Sequence, residues 1–447
     1  MPPPCARFTL GSIPRHVLTM TSTSTLGLLA VFLVDILTLV YVARLDDQML
    51  LAAVGLGKLL LFINSAFVSG VVIAAGALLS ERIGKHASGA LARLASHLLL
   101  LAISASALVA GLEWLCVGPV GRGLGIEGAT YQAALGFSRL ALPSSVLVAA
   151  AQTCAQMLRA QGHVRQGLLV LLAGAATLAV ADPLLIFALG LGLPGAGLAC
   201  LLSAAVSLAL GLFWVRRHIG LSASWHARLA RLHVARALRI AVPASLGNLA
   251  MPVGVSYLMA VLAGLGTSAL AGMAVVDRVM QLCFCAFFAL PNALVPVIAQ
   301  NLGAGRADRA RQAVAVSRRL VLGYGLAVWL VLIGAGPLIA DYFHLQGAGR
   351  GLFLDFCHFG AGAWLVFGMD FVALSTFLTL GRAWWVPVFG WLRGTLGTLP
   401  FVFLGAKWAG ATGALNGFWS GNMLVALVSI GTAAWQARRF FRQRAQH

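Results

Sequence analysis

An ionised carboxylate is unstable inside a lipid bilayer, so an Asp or Glu lodged in a long apolar run marks a place where a protein handles ions or charged solutes. Of the 12 acidic residues in this 447-residue chain, four read as intramembrane: Asp35, Asp182, Asp277 and Asp370. Asp35 falls about nine residues before the end of its run and Asp182 about eight, which at ~1.5 Å per residue puts both roughly 12 to 14 Å deep. Two carboxylates facing one cavity at one depth would favour protonation through desolvation and mutual repulsion, and such a pair can exchange a proton for a cation. The competing reading of each is a packing Asp bonded to a Ser or Thr on a neighbouring helix. Asp370 sits deeper, towards the opposite face, where it would attract a cationic solute. Asp277 has Arg278 beside it in the chain. Consecutive helical residues cannot face each other, so an ion pair to another helix explains Asp277 as well as transport does.

Aromatic residues cluster near Asp370. Trp364, Phe367 and Phe371, with Trp384, Trp385, Trp391 and Trp419, would line a pocket for a flat cation, although interfacial belts and core packing give the same pattern. Other chemistry finds little support. The 7 cysteines contain no C-x-x-C pair and read as small packing residues. The 10 histidines form no close metal constellation, and His86, His163, His218, His226 and His233 fall in polar loops. GLPGAG, with Gly192, Gly195 and Gly197, follows no strand and reads as a tight turn rather than a phosphate loop. No metal or organic cofactor is expected.

The elements that must position these residues follow from composition. Hydrophobic residues make up 60% of the chain and charged ones 10%, against about 45–50% and 25% in an ordinary globular protein. Such a sequence cannot cover a water-facing exterior, so its outer solvent is lipid. This excludes a soluble enzyme, a disordered chain and a secreted disulfide scaffold. Apolar runs long enough to cross a bilayer occur twelve times: about 22–44, 50–80, 90–117, 129–158, 166–190, 194–215, 241–264, 268–300, 314–340, 352–380, 383–406 and 409–436. The fold class expected is therefore an all-α polytopic membrane protein of twelve transmembrane helices. Prolines at 143, 183, 243, 252, 291, 296 and 400 would kink several of them.

The formal charge of +19 is a topology signal rather than a mark of nucleic-acid binding, because the basic residues fall in short clusters between apolar runs. The N-terminal tail, the even-numbered loops and the C-terminal tail hold 23 of the 31 Lys and Arg. Arg44, Arg122, Arg139, Arg350 and Lys407 lie on the other side, and Lys58, Arg278 and Arg393 inside runs. The positive-inside rule then puts both termini in the cytoplasm of a multi-pass protein of the cell (inner) membrane. The largest basic stretch divides the runs six and six, and a repeat appears across it. At an offset of about 220, ARLDDQMLLAAVGLGK aligns with AGLGTSALAGMAVVDR, setting Lys58 on Arg278, and Phe67 falls on Phe287. The expected organisation is an N-terminal lobe (1–218), a basic linker (219–240), a C-terminal lobe (241–437) and a basic tail (438–447). An even number of spans per lobe implies a parallel pseudo-twofold, an arrangement of secondary transporters that handle substrate between lobes.

ALPNALVPVIAQNLGAGRADRAR, from Ala289 to Arg311, resembles the second-half signature of the multidrug and toxic compound extrusion (MATE) family. FLVDILTLVYVARL with LLAAVGLG resembles the family's first helix with its acidic residue, here Asp35. SERIG, LRAQGHVR, ADPLLI around Asp182, LTLGRA and GATGAL fall where the family has related motifs, and the likeness covers residues 10 to 440. The resemblance implies an antiporter and not an enzyme. Organic, often cationic compounds would leave by alternating access in exchange for H+ or Na+, with membrane lipids and substrate as the partners of a monomer. It makes Asp35 and Asp182 the cation-coupling acids and approximately matches Asp370 to a tenth-helix acid. Two departures stand out: Leu178 replaces an Asn that members often carry four residues before the Asp182 position, and the seventh-helix acid of some members is missing. Fewer oxygen ligands favour protons over sodium. The rivals are a lipid-linked oligosaccharide flippase, which would want a basic cavity, and an intramembrane enzyme, for which no His-rich or nucleophile motif is present.

Overall fold

The computed structural model describes residues 6–44, 48–86, 91–123, 125, 127–222 and 226–445. Among these the regular structure is helical. They pack into two compact units: Leu26–Ser245 with the described part of Met1–Gly11, and Ser12–Thr25 with Leu246–His447. The two breaks, after Thr25 and after Ser245, lie 220 residues apart, the offset of the sequence repeat. Cys5 and Leu45 fall outside the described residues.

The first unit takes up α1 (Ile13–Ala43) from Leu26 onward, followed by α2 (Gln48–Gly84), α3 (Leu91–Gly123), α4 (Gly128–Ala160), α5 (Val164–Ala188) and α6 (Gly192–His218). Each is long and apolar because lipid offers the backbone no hydrogen bonds, which a helix supplies internally. Leu79, Ile83, Leu98, Cys154, Leu158 and Val215 fill the core at the end bearing the basic loops. Val54, Leu60, Phe137, Leu142 and Ile186 fill it at the other. Small residues let helices close up: a Cβ on Gly76 would run into the Gln156 side chain, and one on Gly195 into the backbone at Leu185. α5 ends as a π-helical turn, Leu184–Ala188, directly after Asp182 and Pro183. Such turns mark places where the regular ladder is given up, often at functional sites.

The 219–240 stretch, expected as a linker, is helical from Ala227 and opens α7 (Ala227–Gly264). Its apolar side explains this. Ala230, Ala237 and Ala241 are buried at helical spacing while Arg228, Arg231, Arg236 and Arg239 are exposed, so the basic run is the solvated face of an amphipathic helix. The chain leaves the first unit within α7, after Ser245, whose hydroxyl donates to the Phe67 carbonyl.

The second unit continues with α8 (Thr267–Gly303), α9 (Ala307–Tyr342) and α10 (Gly347–Thr379). α8 is interrupted at Phe284, where the Tyr324 hydroxyl donates to the Cys283 carbonyl at 2.6 Å, and α10 carries a π-helical turn at Phe356–Gly360. The last apolar stretch, Trp385–Gln443, is broken at Ala409 and Gly410, the latter at φ +60°. It therefore makes two spans, α11 (385–408) and α12 (411–445), and completes the twelve expected. The protein is an all-α polytopic membrane protein of two six-helix lobes. α11 and α12 meet along a glycine seam. A Cβ on Gly413, Gly417 or Gly421, spaced four apart on one face of α12, would land on the carbonyls of Gly405, Phe401 and Gly397 in turn.

The N-terminal segment is tied to the first unit. Phe8 is buried, Arg7 Nη1 donates to the Gly162 carbonyl at 3.4 Å, and Gly162 has φ +84°. Beside it the His163 ring stacks on His218 with centroids 3.9 Å apart, and His218 stacks on Trp214.

Two outcomes are expected. Gly417→Ala lowers the melting temperature in detergent, whereas Gly431→Ala, where a Cβ meets nothing within 4 Å, does not. Burial first, then the nearby His218 and Arg7, hold the His163 imidazole down at about 4. A folded value below the ordinary one of 6.5 means the unfolded chain takes up the proton first. Stability is therefore level above pH 6.5 and falls from there towards about 4; in a melting series over that window His163→Gln should show the shallower decline.

Candidate functional site

Asp35 and Thr38 lie three residues apart on one face of α1. From that face each reaches a different helix. Lys58 on α2 approaches Asp35, with Nζ 3.3 Å from the carboxylate Oδ1 and 3.1 Å from the Asp35 carbonyl. The Thr38 hydroxyl bonds the carboxylate Oδ2 of Asp182 on α5. Asp182 is fully buried and its other oxygen, Oδ1, has no hydrogen-bond partner among the described residues, whereas the Asp35 side chain is 53% exposed. The two acids expected from depth alone are thus joined through α1, one as a half-open ion pair and the other as a buried hydroxyl-bonded carboxylate.

Cys200 on α6 lines a cavity of about 160 Å³ inside the first unit, together with Asn64, Ser65, Ser144, Ser145, Gln152 and Ser203. Leu178 and Val68 contribute apolar wall. Most of the exposed wall is apolar, so the cavity offers a solute a greasy surface with a few neutral hydrogen-bonding groups set into it and commits to neither sign of charge.

Thr38 gives the site two states. Its Oγ1 lies 3.1 Å from the Val34 carbonyl as well as against Asp182, yet a hydroxyl has one proton. With Asp182 ionised, Thr38 donates to it. With Asp182 protonated, the carboxyl O–H donates to Thr38, whose own proton turns to Val34. Proton arrival at Asp182 therefore rewrites the bonding between α5 and α1.

The acids inside spans number more than four. Glu113 on α3 is buried, and Asn64 Nδ2 lies 3.4 Å from its Oε2 and 3.2 Å from the Ser106 carbonyl; the Ser106 hydroxyl donates to Asn64 Oδ1 at 2.8 Å. Asn64 also lines the cavity. Asp355 on α10 directly precedes the π-helical turn. Both lie within apolar runs already drawn from the sequence, which was signal enough to count them.

In the second unit, Asp370 on α10 is fully buried and Arg393 Nη1 on α11 stands 2.6 Å from its Oδ2. Trp364 and Phe367 are packed in the interior among Phe284 and Trp419, with ring centroids 5.1 to 6.3 Å apart. Phe371, half-buried, stands edge-on to Phe288 at 5.6 Å. Asp277 is half-buried on α8 and Arg278 exposed. The structure thus packs Trp364, Phe367 and Trp419 into a core cluster and ties Asp370 to Arg393, while Trp384, Trp385 and Trp391, expected to line the same pocket, are exposed. Among the described residues no group of three or more His, Cys, Asp or Glu is placed to hold a metal ion.

A family model described as MatE matches residues 24–184 and again 243–395, so each lobe carries one copy, 219 residues apart. An uncharacterized 21 kDa protein of Pseudomonas savastanoi is 37% identical over 229 residues, 51% of this chain and 74% of its own length. A Shewanella oneidensis protein described as an FAD transporter is 33% identical over 194 residues, 42% of this chain and 43% of its own length, so that match spans less than half of the relative. Among solved structures, a mutant of the Vibrio cholerae MATE transporter VcmN superposes with a TM-score of 0.89 at 22% identity, covering 97% of both chains. A Pyrococcus furiosus transporter of the MOP superfamily superposes at 0.87 with 19% identity and 98% coverage of both. These two likenesses establish the fold, and the doubled family match, falling on both of the compact lobes, places this chain in the multidrug and toxic compound extrusion (MATE) family of transporters.

Proposed function

We propose that the protein is a secondary active exporter of the cell (inner) membrane, both termini cytoplasmic, that exchanges incoming protons for outgoing organic compounds by alternating access. The observation that carries this reading is the pair of carboxylate sites linked through α1, beside the mainly apolar cavity of the first lobe. Asp35 is exposed enough to meet protons, and Asp182 is buried so that its charge state bears on helix packing. Protonating Asp35 weakens its hold on Lys58. Protonating Asp182 reverses the Thr38 bond and loosens or repacks α1 against α5. Both events remove negative charge next to the cavity, which releases a cation held there.

Organic cations are the substrate class this arrangement suits first, since the half-exposed Asp35 carboxylate and the buried Asp182 put negative charge in the first lobe and Asp277 adds charge in the second. A flavin-nucleotide-like anion is the second reading, favoured by the identity to the Shewanella FAD transporter; on it, the ammonium of Lys58, freed when Asp35 is protonated, would meet the anion. A lipid-linked oligosaccharide flippase would want standing, unpaired bases for pyrophosphate. Of the three bases that the sequence singles out inside apolar runs, Lys58 and Arg393 are held by carboxylates, and the exposed Arg278 is in no ion pair among the described residues.

Efflux from proteoliposomes under an imposed pH gradient tests the coupling role, over a panel of cationic dyes and FAD. Asp35→Asn and Asp182→Asn should each reduce it to the level of protein-free vesicles; full activity in either would remove that acid from coupling. The second-lobe pair behaves differently. Arg393→Met leaves Asp370 buried without its partner, a change that costs roughly 3–5 kcal/mol in buried ion pairs, so the variant should melt well below the parent in detergent.

A further inference from the structure

Lys58 is the feature that the coupling scheme above does not require, and its position is specific. Its ammonium takes both a carboxylate oxygen and the backbone carbonyl of Asp35, at 3.3 and 3.1 Å. Those are two oxygens that a small bound cation would use. We propose that Lys58 is a tethered cation that occupies the Asp35 site and makes it select protons and reject sodium; this rests on the coupling role given to Asp35 above.

Three observations converge. The first is charge. Among the described residues, the charged groups near Lys58 are Asp35 on α1 and Asp182 on α5. With two carboxylates and one ammonium the cluster carries one net negative charge when ionised, so a single proton neutralises it. A sodium ion would instead sit within a few ångströms of a fixed like charge that cannot leave, because it is part of the chain. The second is ligand supply. A sodium ion needs a shell of oxygens, whereas a proton needs one. Leu178, one turn before Asp182, and Cys200 across from it offer none, and the Thr38 oxygen is already committed to Asp182 or Val34. The third is residue choice. Arg fills all but three of the 31 basic positions, the exceptions being Lys58, Lys85 and Lys407. Arg is a broad planar fork suited to fixed bidentate pairing, while the Lys ammonium is a compact point charge, the closest a side chain comes to a monatomic cation. At position 278, the repeat-related site, the residue is an exposed Arg, so the arrangement belongs to the first lobe alone.

The test uses the full-length protein with sodium chloride against equal choline chloride, read as melting temperature in detergent and as efflux from proteoliposomes under a sodium gradient. The parent should respond to sodium in neither. Lys58→Met, which keeps the length and removes the charge, should gain sodium-dependent stabilisation and a sodium-driven efflux rate raised roughly tenfold or more over the parent, as expected from removing a like charge a few ångströms away. Lys58→Arg should stay indifferent. A sodium response in the parent, or a folded Lys58→Met that ignores sodium, overturns the proposal. If Lys58→Met does not purify as a monodisperse protein, Lys58→Gln is judged by the same two criteria. Asp35→Asn under a pH gradient keeps the underlying reading separate. Unchanged proton-driven efflux in that variant defeats the coupling role of Asp35, whereas a sodium-blind Lys58→Met beside an impaired Asp35→Asn defeats only the role of Lys58.

Discussion

The bond between Thr38 and Asp182 is the interaction on which the first lobe turns. A carboxylate with no exposure, inside an apolar helix, needs a donor. The one it has among the described residues comes from α1, a helix whose opening residues, Ile13–Thr25, are grouped with the second unit. Three residues before Thr38, Asp35 meets Lys58 from the same helix face. One helix thus carries the contacts of both acids, and the π-helical turn that begins two residues after Asp182 lets α5 end without a regular ladder at that point. A proton on Asp182 reverses the direction of the bond it shares with Thr38, and a proton on Asp35 leaves Lys58 its bond to the Asp35 carbonyl. A hydroxyl with two acceptors within reach and one proton to give is a small two-state element, and a two-state element is what converts a local event into a change of helix packing.

The second lobe uses the same currency of paired charge to a different end. Asp370 and Arg393 hold α10 to α11, and the large aromatics around Trp364 and Trp419 fill the interior. The glycine seam of α11 and α12 brings those helices into backbone contact. The related sequences therefore support unlike local chemistry. Lys58 and Arg278 occupy matching repeat positions, but only the first sits in an ion pair among the described residues.

Much of the fold was legible in the sequence, because apolar length and basic clustering are summed properties that one substitution cannot blur. The twelve spans and the repeat offset came from these. What stayed hidden was rotational. A membrane helix that is apolar all round carries no stripe to say which side faces its neighbours, so Asp35, Lys58 and Asp182 could each be named as intramembrane without their pairing being visible. The same limit hid the link from Glu113 to Asn64, 49 residues away. The basic stretch before α7 failed for the opposite reason. Its arginines drew attention, while the alanines at 230, 237 and 241 that make it a helix face carry little hydropathy of their own. Family membership narrows the chemistry to transport, and the fold recurs in solved structures at 19–22% identity.

The central claim is that protons and substrate compete through Asp35 and Asp182. It is tested most directly by following pH in a weakly buffered solution of the purified protein as a transported compound is added. Substrate binding by the parent should be accompanied by proton release, and that release should be lost when both acids are replaced by Asn. Release of the same size from the doubly substituted protein, with substrate still bound, would contradict it.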